Sequence, residues 1–131
     1  MKNINSLKNS SEFKCVYQCG KSFANKNLVM YVLEKNDKEN RLGISVSKKV
    51  GNSVIRHHVT RLIRESYRLH KGEIEEGFDI VVVARVNSKT CNYWDIERSF
   101  LHLLKLHHIR KEEIENTSLS ECHELNEKRD D

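Results

Sequence analysis

The feature that most constrains the fold is an amphipathic helix that lies between two β-rich segments in the middle of the chain. Before it, RLGISVSKK (41–49) alternates between apolar and small polar residues, which is typical of a half-buried strand. After it, FDIVVVARV (78–86) is a nearly continuous apolar run, which is typical of a strand buried on both faces. The helix, predicted over 53–68, has an apolar stripe formed by Ile55, Val59, Leu62 and Ile63. This order is compatible with a crossover that joins two parallel strands.

Two further helices are predicted on either side of this unit. Asn9 and Glu12 form a capping-box pattern that begins a helix over residues 10–19, and Asn92 with Asp95 repeats the pattern before a later helix. The later helix directs four apolar residues towards the core: Ile96, Phe100, Leu103 and Leu104. Both helices therefore have a defined start and a face to bury.

A further strand completes the predicted elements. NLVMYVLEK (27–35) is apolar on both alternating faces, which indicates a central strand. Gly51 interrupts the strand at 41–49, and Asn52 is a suitable cap for the helix that follows. The predicted order is one helix, two or three strands, a helix, a strand and a helix. This order predicts an α+β sandwich, with the helices packed against a four-stranded sheet.

The charge of the chain is divided unevenly along its 131 residues. Residues 1–110 carry 20 basic and 11 acidic side chains, a net charge of +9, whereas residues 111–131 carry 3 basic and 8 acidic ones, a net charge of −5. The length fits one domain, so we predict a basic domain over 1–110 and an acidic, flexible tail over 111–131. Such a tail serves solubility or, as a less favoured alternative, competes with nucleic acid for the basic surface.

Membrane insertion is not expected. The first ten residues, MKNINSLKNS, contain no apolar run of the kind a signal peptide needs. The longest apolar runs, LVMYVL and IVVVA, are far shorter than the roughly 20 residues that span a bilayer. We therefore expect a soluble, cytoplasmic protein.

The four cysteines do not form a strong metal-binding pattern. No CxxC pair occurs among Cys15, Cys19, Cys91 and Cys122. Closed zinc sites use tighter paired spacings than these, so free thiols are favoured over a zinc site.

The segment 47–68 carries the clearest functional signal. Six of its residues are Lys or Arg, and one, Glu65, is acidic. Within the predicted helix a polar stripe recurs at spacings of four, three and four: His57, Arg61, Arg64 and Arg68. Lys48 and Lys49 precede the helix N-terminus, where free backbone N–H groups favour anions. Arginine also suits bidentate contacts to phosphate, so the segment indicates a nucleic-acid-binding surface rather than an ordinary solvated face.

RNA is the favoured nucleic acid. A helix-turn-helix DNA reader needs a second helix just before the recognition helix, and here a strand precedes it. Aromatic side chains beside a basic helix suit unpaired bases, and Phe13, Tyr17 and Tyr31 are the candidates for stacking. Each of these rings, taken singly, also fits a place in the core.

Three segments in this order resemble the bacterial ribonuclease P protein subunit: NSSEFKCVYQCGKSFANKNLVMYVLEK, RLGISVSKKVGNSVIRHHVTRLIRESYR and FDIVVVAR. The resemblance covers about residues 7–108, and ISVSKKVGNSVIR followed by RLIRE is its most specific part. It implies a subunit of an endoribonuclease in which a large RNA subunit, with magnesium ions, removes the 5′ leader of precursor tRNA. It implies that the protein binds that RNA and the leader, and it assigns this chain neither a catalytic residue nor a metal ligand.

The resemblance also implies a fold and two sets of site residues. The fold is α-β-β-β-α-β-α, like the second domain of a small-subunit ribosomal protein, with a left-handed βαβ crossover, although general rules favour the right-handed form. Contacts to the catalytic RNA are assigned to Lys48, Lys49, Asn52, Arg56, His57, His58, Arg61, Arg64 and Arg68. The cleft for the leader is assigned to Phe13, Tyr17, Tyr31, Ser45, Ser47 and Lys49. The last three are also expected to point into this cleft because they share one face of the predicted strand at period two.

The chain departs from the family pattern inside its basic motif. The family usually has Arg-Asn-Arg where this chain has Arg56, His57 and His58, and it usually has Lys at Thr60. Histidine is mostly neutral at neutral pH, so we expect RNA affinity to be weaker and more sensitive to pH than is usual for the family. The alternative is that both histidines only cover the helix surface.

Two other functions remain to be weighed. An independent nuclease needs clustered carboxylates or cooperating histidines, but His57 and His58 are adjacent and point about 100° apart on a helix. A plain RNA-binding module, ribosomal or chaperone-like, needs the basic helix but not an aromatic cleft. The cleft therefore distinguishes this module from a ribonuclease P subunit.

Overall fold

The computed structural model describes residues 4–111 of the chain. Its elements, in chain order, are α1 (Ser10–Cys19), β1 (Lys21–Ala24), β2 (Leu28–Glu34), β3 (Arg41–Ser45), α2 (Ser53–His70), β4 (Phe78–Ala84) and α3 (Tyr93–Leu106). Short 3-10 turns follow α2 and β4. The predicted α+β order α-β-β-β-α-β-α is confirmed. The predicted flexible tail, beyond Lys111, lies outside the described residues.

The four strands form one mixed sheet in the order β1-β2-β4-β3. β2 is antiparallel to both β1 and β4, whereas β3 is parallel to β4. α2 therefore connects two parallel, adjacent strands, as its position in the sequence predicted. The left-handedness of this crossover stays a prediction. Residues 5–7 run along the outer edge of β3, where Leu42 donates to the Asn5 carbonyl at 2.9 Å.

The helix starts agree with the predicted caps. The Asn9 side chain accepts from the Glu12 amide at 3.0 Å, and the Asn92 side chain accepts from the Asp95 amide at 2.9 Å. Both capping boxes are complete, because each acidic side chain also accepts from the backbone of its asparagine. Asn52 caps α2 by accepting from the Ile55 amide at 3.0 Å. Each cap satisfies a donor that the helix leaves free, and is worth about 1 kcal/mol.

The main core lies between one face of the sheet and the pair α2 and α3. It contains large side chains that are fully buried, among them Leu28, Met30, Ile63, Ile80, Ile96, Phe100, Leu103 and Leu104. Each contributes about 1.5–3 kcal/mol through burial. Val59 and Ile63 of the predicted α2 stripe are buried, whereas Ile55 and Leu62 are half-buried at its margin.

The second face of the sheet is covered only in part. α1 packs on this side, where Val16, Leu7 and Val81 form a smaller core. Phe13, Tyr31 and Val83 are packed against it but remain half-buried. This incomplete cover leaves room for a cleft on the face opposite α2 and α3.

Candidate nucleic-acid interface

The three aromatic residues predicted for a cleft come together where α1 crosses the sheet. The rings of Tyr17 and Tyr31 meet edge to face with centroids 4.8 Å apart, and those of Phe13 and Tyr17 are 6.4 Å apart. Phe13 and Tyr31 are half-buried, whereas Tyr17 is 37% exposed. Tyr17 is therefore the ring that offers most surface to a ligand, and the other two hold it in place.

Gly43 allows this arrangement. The Phe13 ring lies so close to β3 that a Cβ atom at residue 43 would stand 2.7 Å from it. Any larger residue would push the ring outward. The glycine thus lets an aromatic side chain lie directly on the sheet.

A row of half-buried side chains continues the floor of the cleft. Val29 on β2 lies opposite Val83 on β4, and Val83 lies beside Ser45 on β3. All three side chains project on the same side of the sheet as Tyr31, because residues two apart on a strand share a face. We call these three residues and the rings of Phe13, Tyr17 and Tyr31 the cleft. Its surface is apolar and aromatic, with hydroxyl groups from Ser45, Tyr17 and Tyr31.

Ser47 and Lys49 lie beyond the end of β3, so the predicted strand face that was to place them in the cleft is wrong. β3 ends at Ser45, and residues 48–50 form a turn. In this turn the Val50 amide donates to the Ser47 carbonyl at 3.0 Å, and the Lys49 amide donates to the Ser47 hydroxyl at 3.3 Å. Strand alternation does not continue through a turn, so it cannot set the direction of either side chain. Both are exposed, and their part in the cleft stays a prediction from the resemblance.

The basic residues of α2 lie on the side of the helix that faces away from the core. His57, His58, Arg61, Arg64 and Arg68 are all exposed, as are Lys48 and Lys49 in the turn before the helix. We call these seven residues the α2 face. Arg56 differs from them, because it is half-buried and its Nε atom is buried without a hydrogen-bond partner among the described residues. The predicted stripe is thus a continuous basic surface, with Arg56 at its margin.

Most cations of the α2 face have no acidic partner. Arg68 is the exception: its Nε donates to Glu65 at 3.1 Å, and the hydrogen bonds to this carboxylate raise the pKa of the guanidinium. Lys48, Lys49, Arg61 and Arg64 form no ion pair with any residue in 4–111. These four cations are therefore available to an external anion.

Arg41, at the start of β3, is an arginine of the same protein whose charge is fully paired. Arg41 donates from Nε and Nη2 to the two oxygens of Asp79, both at 2.9 Å, and from Nη1 to Glu12 at 3.0 Å. Lys35 also lies 3.4 Å from Asp79. The hydrogen bonds to Asp79 raise the pKa of Arg41. We call these four residues the Arg41 cluster, which the sequence analysis did not predict.

Other kinds of site receive no support from the described residues. Within residues 4–111 no three His, Cys, Asp or Glu side chains come together in a way that could hold a metal ion. Cys15 and Cys19 are exposed free thiols on α1, and Cys122 lies outside the described residues. No helix in the described part is long and apolar enough to cross a membrane.

The structure is that of a small α+β protein with an exposed basic face on one helix and a partly open aromatic cleft on the other side of the sheet. Similar proteins identify its family. The Ribonuclease P family model matches residues 1–108. The ribonuclease P protein component of Lachnoclostridium phytofermentans is 62% identical over 104 residues, which cover 79% of this chain and 90% of that protein. The component from Clostridioides difficile is 52% identical over 100 residues, which cover 76% of this chain and 88% of that protein.

Solved structures give the same result. The RNase P protein of Staphylococcus aureus has a TM-score of 0.75 and 37% identity, and the match covers 83% of this chain and 100% of that one. The RNase P protein of Thermotoga maritima has a TM-score of 0.72 and 32% identity, over 78% of this chain and 96% of that one. The chain therefore belongs to the ribonuclease P protein family.

Proposed function

We propose that the chain is the protein subunit of a ribonuclease P and assists removal of the 5′ leader from precursor tRNA. In this proposal the α2 face binds the catalytic RNA subunit, and the cleft binds the single-stranded leader. The observation that carries it is the contrast in pairing: Arg61, Arg64, Lys48 and Lys49 have no acidic partner within residues 4–111, whereas Arg41 is fully paired. Family membership supplies the identity of the RNA.

The α2 face suits a folded RNA because its contacts are to phosphates. Arg61 and Arg64 present planar guanidinium groups, which make bidentate hydrogen bonds to phosphate oxygens. Asn52 uses its side-chain oxygen to cap α2, so its amide N–H groups remain free to donate to the RNA. Binding of this kind releases counterions and weakens steeply as salt rises.

The cleft suits an unpaired strand because it offers rings and few charges. A base can stack on the exposed part of Tyr17, and such stacking is worth about 1–3 kcal/mol per base. The apolar row of Val29 and Val83 accommodates the flat faces of neighbouring bases, and the Ser45 hydroxyl is placed to bond a ribose or phosphate. None of these contacts depends on base identity, which fits leaders of varied sequence.

Catalysis is assigned to the RNA partner and its magnesium ions. The described residues of this chain contribute binding and positioning: they hold the RNA subunit on one face and the leader on the other. Because the protein is docked on the catalytic RNA through one face, a leader held in its cleft is oriented towards the RNA active site. Orientation of this kind accelerates a reaction without a catalytic side chain.

Cleavage of a precursor tRNA by a bacterial catalytic RNA at low magnesium tests the proposal. We expect the protein to stimulate cleavage of a substrate with a leader, and the Arg61→Ala, Arg64→Ala variant to lose most of this stimulation. The Phe13→Ala, Tyr17→Ala variant should keep its affinity for the catalytic RNA but lose its preference for a substrate with a leader. Absence of stimulation despite tight, salt-sensitive RNA binding would contradict the proposed role.

A further inference from the structure

A second group of cations and aromatic rings lies on α3, away from both the cleft and the α2 face. Trp94, Arg98, His102 and Lys105 follow one another at spacings of four, four and three, and all four are exposed. They line the side of α3 opposite Ile96 and Phe100, which are fully buried. Trp94 is 63% exposed, an unusual position for so large an apolar side chain.

β1 and the loop after it extend this surface. Phe23 projects on the α3 side of the sheet, where its ring meets that of His107 edge to face at 4.8 Å. The Asn25 side chain joins the loop to α3, because its amide donates to the Ser99 carbonyl at 3.1 Å and lies 3.1 Å from His102 Nδ1. We call the surface formed by Trp94, Arg98, His102, Lys105, Lys21, Phe23 and Lys26 the α3 face.

The cations of the α3 face are as poorly paired as those of the α2 face. Lys21, Lys26 and Lys105 form no ion pair within residues 4–111. Arg98 lies 3.6 Å from Asp95, but the two side chains are 76% and 40% exposed. An exposed pair at this distance contributes little and competes weakly with another anion.

Trp94 is held firmly despite its exposure. It lies in the first turn of α3, which the capping box of Asn92 and Asp95 fixes. The Tyr93 ring packs against it edge to face with centroids 5.1 Å apart. The Tyr93 hydroxyl in turn lies 3.4 Å from Glu97, to which it donates. An exposed indole that shares a helix face with exposed cations is the arrangement that proteins use to stack an unpaired base while they hold its backbone.

We propose that the α3 face is a second RNA-binding surface, which takes a single-stranded segment with one base stacked on Trp94 and phosphates on Arg98, Lys105 and Lys21. α3 packs beside β1 and β2, whereas α2 packs beside β3, so the two basic faces flank opposite edges of the sheet. The protein then bridges two RNA segments. This inference extends the proposed function, which uses only the α2 face and the cleft.

The test uses the fact that Trp94 is the sole tryptophan of the chain, so its fluorescence reports on this surface alone. Short single-stranded RNA is titrated into the full-length protein. We expect quenching in the native protein and equally in the Arg61→Ala, Arg64→Ala variant, but little quenching in an Arg98→Ala, Lys105→Ala variant with unchanged Tm. Inorganic polyphosphate, which has charge but no bases, should leave the fluorescence unchanged.

Affinity measured in the Arg61→Ala, Arg64→Ala background provides a second readout. There, Trp94→Ala should weaken RNA binding about 5-fold or more. Arg98→Ala with Lys105→Ala should lower the slope of log K against log salt by about 1.4, since each phosphate contact to a single strand contributes about 0.7.

Three results would overturn the proposal. The first is unchanged fluorescence on addition of RNA, which would show that Trp94 does not contact RNA and would favour a protein partner at this surface. The second is quenching that disappears in the α2 variant but persists in the α3 variant, because Trp94 would then respond to RNA bound elsewhere. The third is equal quenching by polyphosphate. None of these readouts requires cleavage of precursor tRNA, so failure here is distinct from failure of the proposed function.

Discussion

The Arg41 cluster and the α2 face contain the same kind of cation in opposite situations. Arg41 bonds Asp79 through two nitrogens and Glu12 through a third, and the Asp79 side chain is only 6% exposed. Arg61 and Arg64 extend from α2 with no acidic partner in the described part of the chain. The first arrangement satisfies a buried carboxylate and joins α1 to the sheet. The second leaves charge for another molecule. Pairing, rather than the number of basic residues, distinguishes the structural Arg41 from the arginines that we propose bind RNA.

The largest expected effect is on stability, from Arg41→Ala. The substitution leaves the Asp79 carboxylate buried with Lys35 as its remaining cation. Removing one partner of a buried pair is strongly destabilising, and with Lys35 still present we expect a loss of about 2–3 kcal/mol in the free energy of unfolding. Denaturant unfolding measures it. Arg64→Ala is the matched control, with an expected change within about 0.5 kcal/mol. Equal losses of unfolding free energy for the two variants would show that pairing does not distinguish Arg41 from Arg64.

A smaller effect on stability is expected from Gly43→Ala, which changes the cleft but leaves the Arg41 cluster and the α2 face intact. The new methyl group would meet the Phe13 ring at 2.7 Å, and the ring can yield by moving outward. We expect a stability loss of about 1 kcal/mol and weaker capture of a substrate with a leader. Affinity for the catalytic RNA should not change, because the α2 face lies on the other side of the sheet. Loss of affinity for both RNAs would show that the two surfaces are not independent.

A modest effect is expected from His57→Asn with His58→Arg, which restores the usual residues of the family motif on the α2 face. Both histidines are exposed on the helix beside Arg61. Arginine adds a permanent guanidinium, which can bond phosphate through two nitrogens. We expect the variant to bind the catalytic RNA more tightly than the native protein, with both affinities measured at the same pH and salt. Equal affinities would mean that the histidines only cover the helix.

The smallest expected effect concerns His70, which joins the end of α2 to α3. Its Nδ1 lies 2.9 Å from Glu73 and its Nε2 lies 2.7 Å from Glu97. Burial alone would lower the pKa of His70, but the hydrogen bonds to Glu97 and Glu73 outweigh burial and raise it. A raised folded-state pKa stabilises the protein below the ordinary histidine value of about 6.5, and this stabilisation is lost as pH rises through the folded-state value.

The check is the difference in unfolding free energy between native protein and His70→Gln, measured from about pH 6 to pH 8. The native protein should exceed the variant in stability by the largest margin near the acidic end of this range. His102, which is exposed and lies beside Asn25 rather than between carboxylates, provides the control substitution. A margin that grows towards alkaline pH would contradict the raised pKa of His70.

Local signals in the sequence predicted much of this structure. Some features depend only on residues within one or two helical turns of each other, so their patterns are visible without the fold. These are the caps at Asn9, Asn52 and Asn92 and the buried positions Val59 and Ile63. Phe13, Tyr17 and Tyr31 were candidates for stacking from their residue type, and the family resemblance assigned them to one cleft.

Other features depend on contacts that the sequence does not show. Arg41 and Asp79 are 38 residues apart and meet only because β3 pairs with β4. The end of β3 at Ser45 is set by the turn before α2, whereas RLGISVSKK alternates past that point. Ser66 and Tyr67 are buried because α3 packs over them, although the apolar stripe predicted for α2 did not include them. For Arg41 and for the buried Ser66 and Tyr67, a distant segment determined the outcome.

The salt dependence of binding to the catalytic RNA tests most directly whether the unpaired arginines of α2, and not the paired Arg41, contact phosphate. The native protein is compared with the Arg61→Ala, Arg64→Ala variant and with Arg41→Lys, which keeps a cation near Asp79. We expect the slope of log K against log salt to fall by about 1.4–1.8 for the α2 variant, since two phosphate contacts are lost, and to stay unchanged for Arg41→Lys. Equal slopes for all three proteins would contradict it.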